Sequence, residues 1–180
     1  MARKALVVVD YNNDFVHADG ALTCGAAGQR LDGFIAAKIR QFHAADDVVV
    51  VVNDNHRPDD EEFSLWPVHC VAGTWGSETY GETGQVVAEL RGQPRVYELP
   101  KTKYDAFYGT ELEHILQKEG VEEVYVVGVC TSICVAATVQ GGYFRGYRMK
   151  VYRDGVADLT EEAHHFMLKH MANIYKAKVI

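Results

Sequence analysis

The sequence has little of what would place it in a special class of protein. It contains four cysteines among 180 residues, too few for a disulfide scaffold, so we expect a reducing, cytoplasmic environment. No apolar run approaches the roughly 20 residues that cross a bilayer, and the N-terminus has no signal-peptide pattern. We therefore expect no membrane partner.

Positively charged residues are also in the minority. The 18 Lys and Arg residues stand against 25 Asp and Glu residues, and the net charge of −7 argues against a nucleic-acid partner. No GxGxxG or phosphate-loop pattern occurs, so nucleotide chemistry has no support in the sequence. Because repeats, low-complexity stretches and linkers are absent as well, we expect residues 1–180 to form a single domain.

The sequence does contain two hydrophobic patterns that alternate along the chain. Short apolar runs rich in β-branched residues predict strands at 5–9, 48–52, 95–99, 124–127, 149–152 and 178–180. Apolar residues at helical spacing predict helices at 27–45, 109–120, 133–141 and 160–175, and residues 55–85 show no clear periodicity, which is typical of a functional loop. This order predicts an α/β fold with three α/β/α layers and a doubly wound, mostly parallel sheet.

Polar and reactive side chains follow four of the predicted strands. Asp10, Asp54, Lys101 and Cys134 each lie at or just beyond the carboxyl end of a strand. Ligands of doubly wound sheets bind at this edge, near the point where the strand order reverses. We therefore expect these four groups to meet in one site.

Cys134 is the candidate nucleophile. Thr131 or Ser132 is a plausible N-cap for the helix that follows the central strand, which would put Cys134 in the first helical turn. Free N–H groups and the helix dipole favour a thiolate there and could stabilise an oxyanion. The alternative is that Cys134 and Cys130 are small buried apolar residues.

A cysteine nucleophile needs a proton acceptor and a group that stabilises its reactive state. Asp10 could accept the thiol proton and later donate it to a leaving amine, and Lys101 could stabilise the thiolate and orient Asp10. The alternatives are a solvated turn carboxylate for Asp10 and a surface amine for Lys101.

A second cluster combines carboxylates with imidazoles. Asp54 and His56 are followed by Glu62 and His69, a set that suits zinc, manganese or iron(II) better than calcium or magnesium. The alternative is a group of solvated loop residues. Two histidines and a carboxylate would also suit a non-haem iron oxygenase, but the alternating strands and helices argue against that class.

Three segments together resemble a known family. VVVDYNNDF, LPKTKYDAFYGTEL and VVGVCTSICVAAT are similar to the signature blocks of the isochorismatase-like cysteine hydrolases, in the same order and over nearly the whole chain. The resemblance implies a Rossmann-like fold and a catalytic triad of Asp10, Lys101 and Cys134. It also implies a cis peptide bond between Val129 and Cys130, with the backbone N–H groups of Cys130 and Cys134 forming the oxyanion hole.

The segment DNHRPDDEEFSLWPVHCVAGTWG is similar to the corresponding stretch of the nicotinamidase/pyrazinamidase branch of that family. The resemblance implies that Asp54, His56 and His69 ligate one divalent transition metal, with zinc preferred over manganese or iron. Glu62 matches an additional acidic ligand of some members, and Glu61 is its competitor.

The resemblance further implies a function, namely the hydrolysis of nicotinamide to nicotinate and ammonia through a cysteine thioester. Phe15, Trp66 and Tyr104 match positions that pack around the pyridine ring, although core packing is the alternative for each. We also expect a homo-oligomer, either a dimer or a tetramer. The competing functions are a related amidohydrolase that acts on another small carboxamide or ureido compound, and a non-catalytic module that binds a metabolite.

Overall fold

The protein is described by a computed structural model covering residues 3–180. Its six strands form one parallel sheet in the order β3-β2-β1-β4-β5-β6. The strands are β1 Arg3–Val9, β2 Val48–Asp54, β3 Val96–Lys101, β4 Val121–Val129, β5 Arg148–Ala157 and β6 Lys178–Val179. This confirms the predicted doubly wound α/β fold, in which the strand order reverses beside β1.

Helices pack against the sheet on both faces. They are α1 Asn13–Val16, α2 Ala26–Gln29, α3 Asp32–Ala44, α4 Gly81–Leu90, α5 Leu112–Lys118, α6 Ala136–Phe144 and α7 Glu161–Ile174. Among residues 3–180, no helix combines the length and the apolar composition that a membrane span requires.

The central strands carry apolar side chains on both faces of the sheet, because a helical layer covers each face. Along β1, Val7 and Val9 belong to one buried cluster, whereas Leu6 and Val8 belong to the other. All four side chains are fully buried. A strand covered on both faces therefore reads as a continuous apolar run, which is the pattern that predicted it.

The structure corrects one predicted helix and adds one that the sequence analysis did not predict. The helix expected at 27–45 is divided into α2 and α3, with a tight hydrogen bond of 3.1 Å from Leu31 N–H to Gly28 C=O at the junction. The segment without periodicity ends at residue 80, and α4 follows it. The carboxylate of Asp32 accepts hydrogen bonds of 2.8 Å from the N–H groups of Glu82 and Thr83, so the first turn of α4 is capped from another helix.

The segment around the nucleophile candidate also differs from the prediction. β4 continues through Gly128, whose positive φ of 117° and close approach to the carbonyl of Val9 leave no room for a Cβ. The next helix does not begin at residue 133 with a cap from Thr131 or Ser132. A π-helical turn, Thr131–Val135, comes first and has no side-chain cap of its own.

Candidate active site and metal centre

Cys134 lies in the π-helical turn between β4 and α6, directly beyond the carboxyl edge of the sheet. The turn is closed by a hydrogen bond of 3.2 Å from Val135 N–H to Cys130 C=O. The peptide bond between Val129 and Cys130 is cis, as the resemblance implied. Cys134 is 6% exposed, and this small exposed part faces a cavity.

Lys101, the last residue of β3, contacts the three other strand-end residues of the site. Its ammonium nitrogen lies 2.6 Å from the Oδ2 atom of Asp10 and 3.8 Å from the Sγ atom of Cys134, and it also contacts the carboxylate of Asp54. Asp10 accepts a further hydrogen bond of 2.8 Å from the N–H group of Asp54. The four strand-end groups predicted from the sequence therefore meet in one buried cluster.

Burial determines the charge state of the proposed acid and base. Burial and the neighbouring Asp54 raise the pKa of Asp10 from 3.8 to about 6, although Lys101 lowers it. Burial also holds the pKa of the Cys134 thiol well above its usual range; Lys101 lowers this pKa in part, and Asp10 and Asp54 raise it. Burial therefore favours the neutral thiol, in opposition to the thiolate that its position near a helix start favours.

The other two charged groups remain ionised. Burial opposes the charge of Asp54, but Lys101, His56 and His69 outweigh it and hold the pKa of this carboxyl well below its usual range. Burial likewise opposes the charge of Lys101, but its anionic neighbours raise the pKa of this amine well above its ordinary value. The result is a buried ammonium group between two carboxyl groups.

Asp54, His56 and His69 form a compact set of possible metal ligands. One ligand atom from each lies within 4.8 Å of the others, and all three residues are buried. The Oδ2 atom of Asp54 lies 3.4 Å from Nε2 of His56 and 3.8 Å from Nε2 of His69. These three are brought together from the end of β2 and from the long loop that follows it.

The hydrogen bonds at the Nδ1 atoms of His56 and His69 are consistent with metal binding through the Nε2 atoms. The Nδ1 atom of His56 lies 3.1 Å from a carboxylate oxygen of Asp60, and Nδ1 of His69 lies 2.7 Å from the carbonyl oxygen of Pro67. Each Nδ1 therefore donates a hydrogen bond, which in a neutral imidazole leaves the Nε2 lone pair facing Asp54. Within residues 3–180, the Nε2 atom of His56 is a buried nitrogen without a hydrogen-bond partner. Two nitrogen ligands and one oxygen ligand suit a divalent transition metal.

Only one of the two candidate acidic ligands faces this site. Glu62 is 7% exposed and lines the cavity, whereas the side chain of Glu61 is 87% exposed. Glu62 lies outside the group of three ligands, and its carboxylate is 3.5 Å from the ammonium nitrogen of Lys103. Its role as a ligand remains a prediction.

The cavity has a volume of about 300 Å³, at the small end of the range for small-molecule sites. The three predicted aromatic residues, Phe15, Trp66 and Tyr104, all lie on its wall. The indole N–H of Trp66 donates a hydrogen bond of 2.9 Å to the hydroxyl of Tyr104. The ring centroids of Phe15 and His69 are 5.4 Å apart. The cavity thus offers flat apolar walls between the metal ligands and Cys134.

Sequence reasoning missed the residues that support this site from behind. Asp60 follows His56 by four residues within the quoted segment, and its acidic character was the available signal. Asp14 carries no comparable signal, although its carboxylate joins two walls of the site: it accepts hydrogen bonds from Cys70 N–H at 2.7 Å and Ala21 N–H at 3.1 Å.

The three-layer α/β fold and a cysteine beside a buried carboxyl group and a lysine together are typical of a cysteine hydrolase. The chain belongs to the isochorismatase family, since the model of the isochorismatase domain matches residues 4–180. It is 38% identical over 180 residues to the uncharacterized isochorismatase family protein PncA of Bacillus subtilis (strain 168), and the match covers 98% of each chain.

Two solved structures bear on the site. The crystal structure of nicotinamidase/pyrazinamidase PncA from Bacillus subtilis superposes with a TM-score of 0.96 at 35% identity and covers 98% of both chains. The pyrazinamidase of Pyrococcus horikoshii in complex with zinc superposes with a TM-score of 0.87 at 28% identity, covering 99% of this chain and 98% of the other. The similarity to this zinc complex and the group of Asp54, His56 and His69 both support a divalent metal ion at this site.

Proposed function

We propose that this protein is a metal-containing nicotinamidase, which hydrolyses the carboxamide of nicotinamide to nicotinate and ammonia. The observation that carries the proposal is the position of Lys101, whose ammonium group contacts Asp10, Asp54 and Cys134. Next to these contacts, the candidate nucleophile Cys134 and two of the metal ligands, Asp54 and His69, line one cavity. The similarity to structures named nicotinamidase/pyrazinamidase supports the choice of substrate.

In the proposed reaction, the Sγ atom of Cys134 attacks the carboxamide carbon while Asp10 accepts the thiol proton. The backbone N–H groups of Cys130 and Cys134 stabilise the carbonyl oxygen as it gains negative charge. Asp10 donates the proton to the leaving nitrogen, the C–N bond breaks, and ammonia departs. A thioester on Cys134 remains.

The thioester is then hydrolysed with the same base. Asp10 takes a proton from water, the water oxygen attacks the thioester carbon, and the C–S bond breaks. The sulfur of Cys134 regains its proton from Asp10, and the acid that has formed gives its remaining proton to solvent and leaves as nicotinate. Lys101 stays charged throughout and stabilises the negative charge that moves between the other two groups.

Asp54, His56 and His69 would hold the metal ion, for which we propose zinc, with Glu62 as a fourth protein ligand. When bound, the ion supplies an electrophilic anchor for the pyridine nitrogen, which orients the carboxamide instead of activating it. The three aromatic residues on the cavity wall would enclose the ring.

The test is ammonia release from three amides by metal-loaded and metal-stripped enzyme. Nicotinamide and pyrazinamide both carry a ring nitrogen at the anchoring position, so we expect both to be turned over. Benzamide lacks that nitrogen and is expected to be a poor substrate. His69→Ala should depress nicotinamide turnover while circular dichroism shows an intact fold, and His114→Ala, which alters an exposed histidine, serves as the matched control.

Two results would change the assignment. Benzamide turnover equal to that of nicotinamide would show that the metal is not the ring anchor. Absence of ammonia release from any small carboxamide or ureido compound would favour a non-catalytic metabolite-binding module.

We also propose a cytoplasmic location and a homo-oligomer of two or four chains. All four cysteines are free thiols, which supports a reducing compartment. The molar mass in solution, measured by light scattering, tests the oligomeric state.

A further inference from the structure

A buried carboxylate outside the proposed catalytic group contacts the nucleophile turn from the neighbouring strand. Asp158 directly follows β5 and is 5% exposed. Its Oδ2 atom accepts a hydrogen bond of 2.6 Å from the N–H group of Ser132, and its Oδ1 atom accepts one of 2.8 Å from the N–H group of Leu159. Ser132 lies two residues before Cys134.

The turn needs such an acceptor. The first N–H groups of a helical segment have no partner within the segment, and the turn Thr131–Val135 has no side-chain cap of its own. A carboxylate suits this position because its hydrogen bonds to N–H groups are charge-assisted and its charge complements the helix dipole. Asp158 therefore performs, from the residue directly after β5, the capping that the sequence analysis had assigned to Thr131 or Ser132.

A second contact reaches the turn from the same side. The hydroxyl of Thr131 lies 2.9 Å from the Nδ1 atom of His164 on α7. Asp10 and Lys101 contact Cys134 from the strands on the other side of β4. The turn is thus held between two sets of contacts, only one of which takes part in the proposed chemistry.

We propose that Asp158 is a positioning residue that keeps Cys134 aligned with Asp10 through its hydrogen bond to Ser132. The inference rests on the proposed function to the extent that Cys134 is the reacting group. Leu159 lines the substrate cavity, so the same carboxylate also fixes one wall of that cavity to the turn. A nucleophile displaced by about 1 Å can lose about 10²-fold in rate, which makes this alignment measurable.

The experiment compares Asp158→Ala and Asp158→Asn with Asp154→Ala, which removes an exposed carboxylate from β5, the strand that Asp158 directly follows. We expect Asp158→Ala to lower kcat for nicotinamide at least about tenfold, with KM within about threefold and metal content unchanged. Asp158→Asn has one acceptor oxygen in place of two, so its kcat should fall between that of the wild type and that of the alanine variant. Asp154→Ala should match the wild type.

A kcat for Asp158→Ala within about twofold of the control, or an effect on KM alone, would overturn the inference. If the alanine variant does not fold, Asp158→Asn decides by the same comparison. The rate at which iodoacetamide alkylates Cys134, followed by peptide mass, provides a readout without substrate. If wild-type protein fails to hydrolyse nicotinamide, the proposed function fails, but slower alkylation in Asp158→Ala still supports the positioning role and an unchanged rate refutes it.

Discussion

Replacing Lys101 by methionine tests the central electrostatic claim of the structure. Lys101 is fully buried and lies between the carboxyl groups of Asp10 and Asp54. Methionine has a similar length but no charge, so the variant leaves two buried carboxyl groups without their shared cation. Removing one partner of a buried ion pair destabilises a protein by about 3–5 kcal/mol, and we expect a loss of that size in metal-stripped protein.

The pH dependence of that loss has a definite sign. The pKa of Asp10 is already raised to about 6, above its ordinary value of 3.8, and it rises further without Lys101. A carboxyl group whose pKa is higher in the folded state destabilises that state at high pH, and the penalty declines as the pH falls and the group binds a proton. The difference in unfolding free energy between the wild type and Lys101→Met should therefore narrow from about pH 8 to about pH 5.

Urea unfolding of both proteins across this pH range measures the effect. The double variant Lys101→Met/Asp10→Asn removes one of the stranded carboxyl groups, so we expect it to be more stable than Lys101→Met alone although it is inactive. A loss below about 1 kcal/mol, or a double variant no more stable than the single one, would refute the description of Lys101 as the counter-ion of a buried pair.

Two further predictions concern the proposed chemistry. Cys134→Ala should abolish ammonia release while circular dichroism and ligand binding remain intact, whereas Cys130→Ala should stay active because only its backbone N–H is used; substantial turnover by Cys134→Ala would contradict the mechanism. Asp10 must be ionised to accept the thiol proton, so kcat/KM should fall as the pH drops below about 6, and Asp10→Asn should lose at least about 10²-fold in the chemical step. An activity that is flat through pH 6 would exclude Asp10 as the base.

The pattern of apolar residues was sufficient to predict the architecture. Strands buried on both faces require continuous apolar runs, and their alternation with helices requires a parallel sheet. Because the carboxyl ends of parallel strands share one edge, the positions of Asp10 and Lys101 at strand ends already predicted that they would meet. Each of these predictions depends on a local pattern, namely an apolar run and the polar residue that follows it.

The sequence could not predict which distant side chains accept hydrogen bonds from the first N–H groups of a helix. The missed helix α4 contains two glycines and depends on Asp32, which lies 50 residues before the N–H group that it caps. The nucleophile turn likewise depends on Asp158, 26 residues beyond Ser132. Local capping rules search the neighbouring residues, so they assigned the cap of that turn to the wrong side chains.

The charge state of the site was likewise decided only by the tertiary structure. The sequence predicted a cysteine at a helix start, where a thiolate is favoured, and it identified the lysine and the carboxylates as its partners. Burial decides which of these groups holds the proton, because desolvation opposes the charged form of every group. Each neighbouring charge then favours or opposes that charged form, and its effect depends on its sign and its distance. The residue types of the site are thus a property of the sequence, whereas the raised pKa values of Cys134 and Asp10 follow from the depth at which the folded chain places them.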